Sequence, residues 1–141
     1  MKKQALYFLT MFLLAGIMLS ACSGGTSASL TGTWKLVSYG SPANLTPAAA
    51  DVDTSVIFGE DGTISGNVGC NNFGGDYKVD GDKLTFGSIS STLMMCADPA
   101  IGDQESAVLN TLTETVTFVI DGDTLTLTSA DGRSVVVLAR K

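Results

Sequence analysis

Histidine is absent from this chain, and that removes whole classes of chemistry. Ser-His and Cys-His nucleophilic catalysis lose their base, and metal sites built on imidazole are excluded. Basic residues are scarce: eight Lys and Arg stand against fourteen Asp and Glu, a net charge of −6. Nucleic-acid and anionic-lipid binding rest on Lys and Arg neutralising phosphates, so an acidic chain argues against both. Cysteine is limited to Cys22, Cys70 and Cys96. Without imidazole these fall short of the four ligands of a structural zinc site, and neither a metal nor another cofactor is expected. Paired carboxylates could still do acid–base work. Six of the fourteen acids, however, sit in predicted turns: Asp61, Asp80, Asp82, Asp121, Asp123 and Asp131. A turn Asp ordinarily hydrogen-bonds nearby backbone, so no catalytic residue is expected. Asp80/Asp82 and Asp121/Asp123 lack the closing bidentate Glu of an EF-hand calcium loop.

What is present begins at the N-terminus. Lys2 and Lys3 precede an apolar run from Ala5 to Leu19, which ends in Leu19-Ser20-Ala21-Cys22. A basic start, an apolar middle and small residues before a cut make a secretory signal peptide over residues 1–21. The tetrapeptide resembles the lipobox of bacterial lipoproteins, which implies diacylation of Cys22 as the new N-terminus. A transmembrane helix needs about 20 consecutive apolar residues, more than this run supplies. Cleavage after Ala21 without lipid is the nearer alternative. Two acyl chains give stable membrane anchoring where one is marginal. The expected location is the cell envelope: the outer membrane facing the periplasm in a Gram-negative host, otherwise the outer face of the cell membrane. The same lipoprotein resemblance implies, from Ser23 rather than Asp after the cysteine, the outer membrane where the host has one. Loss of residues 1–21 leaves six basic residues against fourteen acidic ones, a net of −8. Once Cys22 is lipidated, Cys70 and Cys96 remain. In an oxidising compartment they form a natural disulfide pair; two buried free thiols are the rival reading.

Residues 22–29, small and polar after the cysteine, form a flexible tether, and residues 30–141 a single domain. Thr33 to Tyr39 reads as a first strand with Trp34 and Leu36 on one face. Ser41 to Asp53, with Pro42 and Pro47, reads as a surface loop. Beyond it, four Asp-Gly pairs begin at Asp61, Asp80, Asp121 and Asp131, between alternating apolar residues. Each is a hairpin signal, and type I′ turns are expected because Gly accepts positive φ. Asp103 to Glu114 breaks the pattern: Asp103 as N-cap, with Val108, Leu109 and Leu112 at helical spacing, predicts a short helix. The fold class is α+β dominated by β: a small, imperfectly closed antiparallel barrel of about eight strands, with the helix packed over one opening. Gly66 to Gly75 lacks the Lys-Ser/Thr of a phosphate-binding loop and reads as a bulged strand and tight turn.

Gly69-Cys70-Asn71-Asn72-Phe73-Gly74-Gly75-Asp76-Tyr77, followed by Ser91-Thr92-Leu93-Met94-Met95-Cys96, resembles the signature of the META domain (HslJ-like) family. Leu30 to Trp34, Gln104-Glu105 with Leu109 and Leu112, and Ile120 to Leu127 agree with it, so the resemblance covers about residues 30–139. It implies a single β-rich domain with a helix, found in bacterial lipoproteins or periplasmic proteins, with no common catalytic activity. It also implies general links to heat shock, motility and drug resistance.

The expected function is that of a non-catalytic, lipid-anchored envelope domain, monomeric, working through a protein partner in maintenance or stress response. The membrane is reached through the lipid on Cys22. Asn71, Asn72, Met94 and Met95 are the candidate ligand or partner surface. Asn71 and Asn72 also suit turn amides, and Met94 and Met95 in a strand would face opposite ways. Two alternatives remain: a small-ligand binder using the barrel mouth as lipocalins do, and an inhibitor of a basic wall hydrolase.

Overall fold

The computed structural model describes residues 29–141; the expected signal peptide, Cys22 and nearly all of the expected tether lie outside the described residues. Ten strands and one helix follow in order: β1 (Gly32–Ser41), β2 (Asn44–Pro47), β3 (Ser55–Phe58), β4 (Thr63–Asn67), β5 (Asn72–Asp80), β6 (Lys83–Phe86), β7 (Ser90–Ser91), α1 (Pro99–Thr111), β8 (Thr115–Asp121), β9 (Thr124–Ser129) and β10 (Val135–Arg140). Eight of them close a barrel in the order β1-β3-β4-β5-β6-β8-β9-β10, and every pairing is antiparallel. Closure is made by β1 against β10, from Trp34 opposite Arg140 to Gly40 opposite Val135, with a bulge between Leu36 and Ser38. The expected barrel of about eight strands with one helix is therefore present. Among the described residues no helix is long and apolar enough to cross a membrane.

Alternation fills the interior. Trp34, Val56, Phe58, Ile64, Leu84, Val116, Leu125, Leu127 and Leu138 come in from the strands, each at most 1% exposed. Val108 and Leu112 of the helix region close one end. The Trp34 indole N–H donates to the Leu30 carbonyl at 2.8 Å, and the Arg140 guanidinium lies 4.2 Å above its ring. Phe58 and Tyr77 meet edge to face with centroids 5.1 Å apart.

Two expectations are corrected. The helix starts at Pro99, with Asp98 as N-cap accepting from the Ala100 N–H at 2.9 Å. Proline needs no N–H partner in a first turn and arrives with helical φ, so Asp98-Pro99 is the stronger start signal. Asp103 is an exposed residue one turn in, and the helix ends at Thr111 rather than Glu114. The segment 41–53, expected as loop, contains β2, because β1 outruns β3 and its free edge takes Asn44–Pro47.

All four Asp-Gly pairs lie in hairpin turns, with positive φ at Gly62, Gly81, Gly122 and Gly132. At Asp80-Gly81-Asp82-Lys83 and Asp121-Gly122-Asp123-Thr124 the glycine is the first of two central residues, with φ of +61° and +56°. Among the described residues no non-glycine residue has positive φ. The sign pattern is that of a type II′ turn, not the expected I′, since Asp follows Gly where I′ would need a second positive φ.

Antiparallel alternation sorts the connections into two ends. The β3–β4, β5–β6 and β8–β9 turns share one end with Ser29 and Lys141, the first and last described residues, where Arg140 donates to the Ser29 carbonyl at 2.7 Å and the Lys141 N–H to Thr33 at 2.9 Å. The β4–β5 loop, the β7–α1 segment and α1 occupy the other end.

A Cβ at position 122 would meet nothing within 4 Å, so the cost of Gly122→Ala is purely conformational. It is expected to lower stability by about 1–2 kcal/mol in urea denaturation. A second expectation concerns pH. The Thr63 hydroxyl (2.7 Å) and N–H (3.1 Å) donate to Asp61, and the Arg133 N–H (3.0 Å) and Ser129 hydroxyl (2.7 Å) to Asp131; both carboxyls are held below their usual pKa. A depressed folded pKa stabilises above the unfolded value and is lost as pH falls through the folded one. Thermal stability should therefore decline below about pH 4, and Asp61→Asn with Asp131→Asn should flatten that decline. On the alkaline side, burial and then the nearby Asp61 raise the Tyr77 phenol. Its contribution is lost as pH rises above about 10.

Candidate functional site

The helix-capped end gathers residues remote in sequence. Gln104 and Glu105 sit on the buried face of α1 with Val108 and Thr111, an unusual place for two polar side chains. Each is fully used. Gln104 accepts from the Ala49 N–H at 2.7 Å and donates to the Val68 carbonyl at 2.7 Å. One Glu105 carboxylate oxygen accepts from the backbone N–H groups of Cys70 (2.8 Å) and Asn71 (2.6 Å). The other accepts from the Asn71 side-chain amide at 2.7 Å. Gly69 permits this approach, since a Cβ there would stand 2.6 Å from the Cβ of Glu105.

Asn71 passes the constraint on. Its side-chain amide also donates to the Met94 carbonyl at 3.0 Å. Its carbonyl oxygen accepts from the Met94 N–H at 2.7 Å and the Thr92 hydroxyl at 2.8 Å. At 5% exposure Asn71 is therefore a buried connector between helix and loop, the kind of fully satisfied polar group that fixes one geometry. Asn72 lies next to it with its side chain exposed, and its backbone pairs with Thr92 through the Thr92 N–H (3.0 Å) and hydroxyl (3.2 Å). Cys70 and Cys96 form a disulfide with Cα atoms 5.7 Å apart, so the free-thiol reading is set aside. Closing a loop across 26 residues contributes roughly 3–4 kcal/mol in the chain-entropy account.

Thr92 to Cys96 is thus held at both ends and in the middle, yet its side chains face solvent. Leu93 is 95% exposed, Met94 60% and Met95 96%. Met94 and Met95 lie outside any strand, so the opposed orientation a strand would give them does not apply. The clamp takes up the backbone N–H and C=O of Met94 that a strand partner would have bonded. The four candidate residues do come together, but with different roles: Asn71 buried as scaffold, Asn72, Met94 and Met95 at the surface. Between the 91–96 segment and α1 runs an open groove of about 790 Å³, with Gly102, Asp103, Ser106 and Leu109 along its helical side.

Sequence reasoning missed the scaffold roles of Gln104 and Glu105. The signal was available: positions 104, 105, 108, 111 and 112 form one helical stripe, and two long polar side chains on an apolar stripe need partners. The sulfurs of Cys70 and Cys96 and a Glu105 oxygen lie within 4.8 Å of one another. Joined as a disulfide, the sulfurs offer no thiolate, and the Glu105 oxygens already hold three N–H donors. The cluster is a clamp by its chemistry. Asn71→Ala should cost about 2–3 kcal/mol in denaturant titration, because it strands the Glu105 oxygen and the Met94 backbone. Asn72→Ala should stay within about 0.5 kcal/mol.

The META domain family matches this chain over residues 28–141. Heat shock protein HslJ of Escherichia coli (strain K12) is 33% identical over 85 residues, which are 60% of this chain and 60% of HslJ. The chain thus spans less than two thirds of that curated relative's length. Among solved structures, an NMR structure of a protein from Burkholderia xenovorans superimposes with a TM-score of 0.64 at 24% identity, covering 77% of this chain and 81% of that one. A crystal structure of a DUF4847 family protein from Bacteroides vulgatus ATCC 8482 gives 0.56 at 17%, covering 79% and 93%. At these identities the structures share a fold. The family match takes in every strand of the barrel, the helix and the clamp between them, and the chain belongs to the META domain, HslJ-like family.

Proposed function

We propose that this protein is a non-catalytic, lipid-anchored domain of the bacterial cell envelope, monomeric, that acts through a protein partner in envelope maintenance or stress response. The observation that carries the reading is the display of Leu93, Met94 and Met95. Three adjacent large apolar side chains stand in solvent on a backbone immobilised by a disulfide, a buried asparagine and a helix carboxylate. Exposed apolar surface on a fixed frame marks interaction sites, because the ordering cost of binding has already been met. The lipobox-like Leu19-Ser20-Ala21-Cys22 supports the anchor. The relative HslJ carries the description "heat shock protein", which supports the stress role.

The geometry suits the anchor. Ser29, the first described residue, lies at the end of the barrel opposite the 92–96 segment, which suits a lipid on Cys22 that leaves that segment facing away from the membrane. The three hairpin turns at the near end carry Glu60, Asp61, Asp80, Asp82, Asp121 and Asp123, which an anionic membrane surface would repel. A lipocalin-like cup is disfavoured: the interior is occupied by Trp34, Phe58, Leu125, Leu127 and Leu138, and Leu112 lies over the opening.

Cys22→Ala is expected to move the protein from the membrane fraction to the soluble one. A photo-crosslinking residue at Leu93 or Met95 should trap a discrete partner in growing cells, whereas one at Val119, 64% exposed on the barrel wall, should not. Unchanged membrane association of Cys22→Ala would sink the anchor. Equal background at positions 93, 95 and 119 would sink the partner.

A further inference from the structure

Resting on the partner reading above, we infer that the groove between the 91–96 segment and α1 is the docking site and that its occupant is a cationic, apolar segment of another protein. Small residues, Gly102 and Ser106, leave room along the helical side, and Leu93, Met94 and Leu109 supply apolar contact. Thioethers adapt to differently shaped partners, so this wall suits apolar side chains of several kinds. Asp103 is exposed in the groove and Asp98 stands at the helix start.

Charge decides the class of occupant. From Leu84 to Gly132 the chain has no Lys or Arg, and both elements that build the groove lie within that stretch. The cation of the β9–β10 turn at the same end, Arg133, is already paired with Asp131 at 3.0 Å. Asp103 therefore faces the groove without a basic neighbour on either of its walls. A Lys or Arg beside apolar residues would complete it, while an acidic peptide, a phosphate or an anionic headgroup would be repelled. A second copy is a poor fit, because a two-fold contact would set the same acidic groove against itself. The groove is open to solvent rather than enclosed, which favours a peptide segment over a small molecule held in a cavity.

The test uses the full-length protein in uncharged detergent, immobilised through its C-terminus, which lies at the opposite end of the barrel. Three short synthetic peptides are titrated by interferometry: a leucine–lysine amphipath, a leucine–glutamate amphipath and a serine–lysine peptide. The leucine–lysine peptide should bind about tenfold or more tighter than either of the others. Asp103→Asn and Leu93→Ser should each weaken it about threefold to tenfold, and Asp80→Asn at the far end should leave it unchanged. Equal weakening by Asp80→Asn would mean general charge attraction and overturn the site. Equal binding of the glutamate peptide would overturn the cationic occupant. A concentration-dependent dimer abolished by Leu93→Ser would put a second copy there instead. Crosslinks at Leu93 and Met95 without peptide selectivity would remove this inference and leave the partner reading standing; absence of both crosslinks and selectivity would remove the two together.

Discussion

The carboxylate of Glu105 joins parts of the molecule that lie far apart in sequence. It reaches 34 and 35 residues back to the N–H groups of Asn71 and Cys70, and through Asn71 it governs Met94. A carboxylate at 8% residue exposure would be costly without partners. Three N–H donors at 2.6–2.8 Å offset that cost and define where the helix must sit. Neighbouring Gln104 ties the same turn of helix to Ala49 and Val68. The helix is therefore positioned by specific hydrogen bonds as well as by Val108 and Leu112 in the core. Apolar contact alone tolerates sliding; this pair of polar residues does not.

The disulfide and the Asn71 clamp constrain the same segment by different means. The first limits the unfolded ensemble; the second selects one folded geometry. Their combined product is a short stretch of backbone that does not collapse onto the domain although its side chains are apolar. Left free, Leu93, Met94 and Met95 would gain by burial against any apolar neighbour. The clamp opposes that by holding both the N–H and the C=O of Met94.

Much of the barrel was legible because period-two alternation and the Asp-Gly turns are local signals. Trp34 and Leu36, Val56 and Phe58, and Leu125 and Leu127 announce one buried face each, and the glycines punctuate them. Turn type was misjudged because it depends on whether Gly is the first or second central residue, a matter of register that the Asp-Gly pair alone leaves open. The helix start was misplaced because two aspartates competed for the N-cap, and the proline after Asp98 is the feature that decides between them. Of the site, the residue types were legible and their division of labour was not. Asn71 and Asn72 are identical side chains on consecutive residues, so chain direction at one bend sends the first inward to Glu105 and leaves the second in solvent. The role of Glu105 depends on a contact across more than thirty residues, which no local pattern encodes.

A closed barrel with a filled interior has one functional resource left, its surface, and the chemistry of this surface is uneven. Turns at the end holding Ser29 and Lys141 are short, polar and acidic, built from the residues that hairpins require. The opposite end carries the helix, the long crossover from β6 to β8 and the exposed apolar triplet. Crossovers need not be long for the barrel to close; hairpins serve elsewhere around it. The long one supplies the helix that covers the core and the segment that the helix holds outward. Fold and display thus share one scaffold: the interactions that seat α1 against Ala49, Val68, Cys70 and Asn71 also fix Met94 in place. Loosening the segment without disturbing the seat of the helix would require breaking Asn71 from Met94 while keeping it on Glu105, which a single amide group does not readily permit.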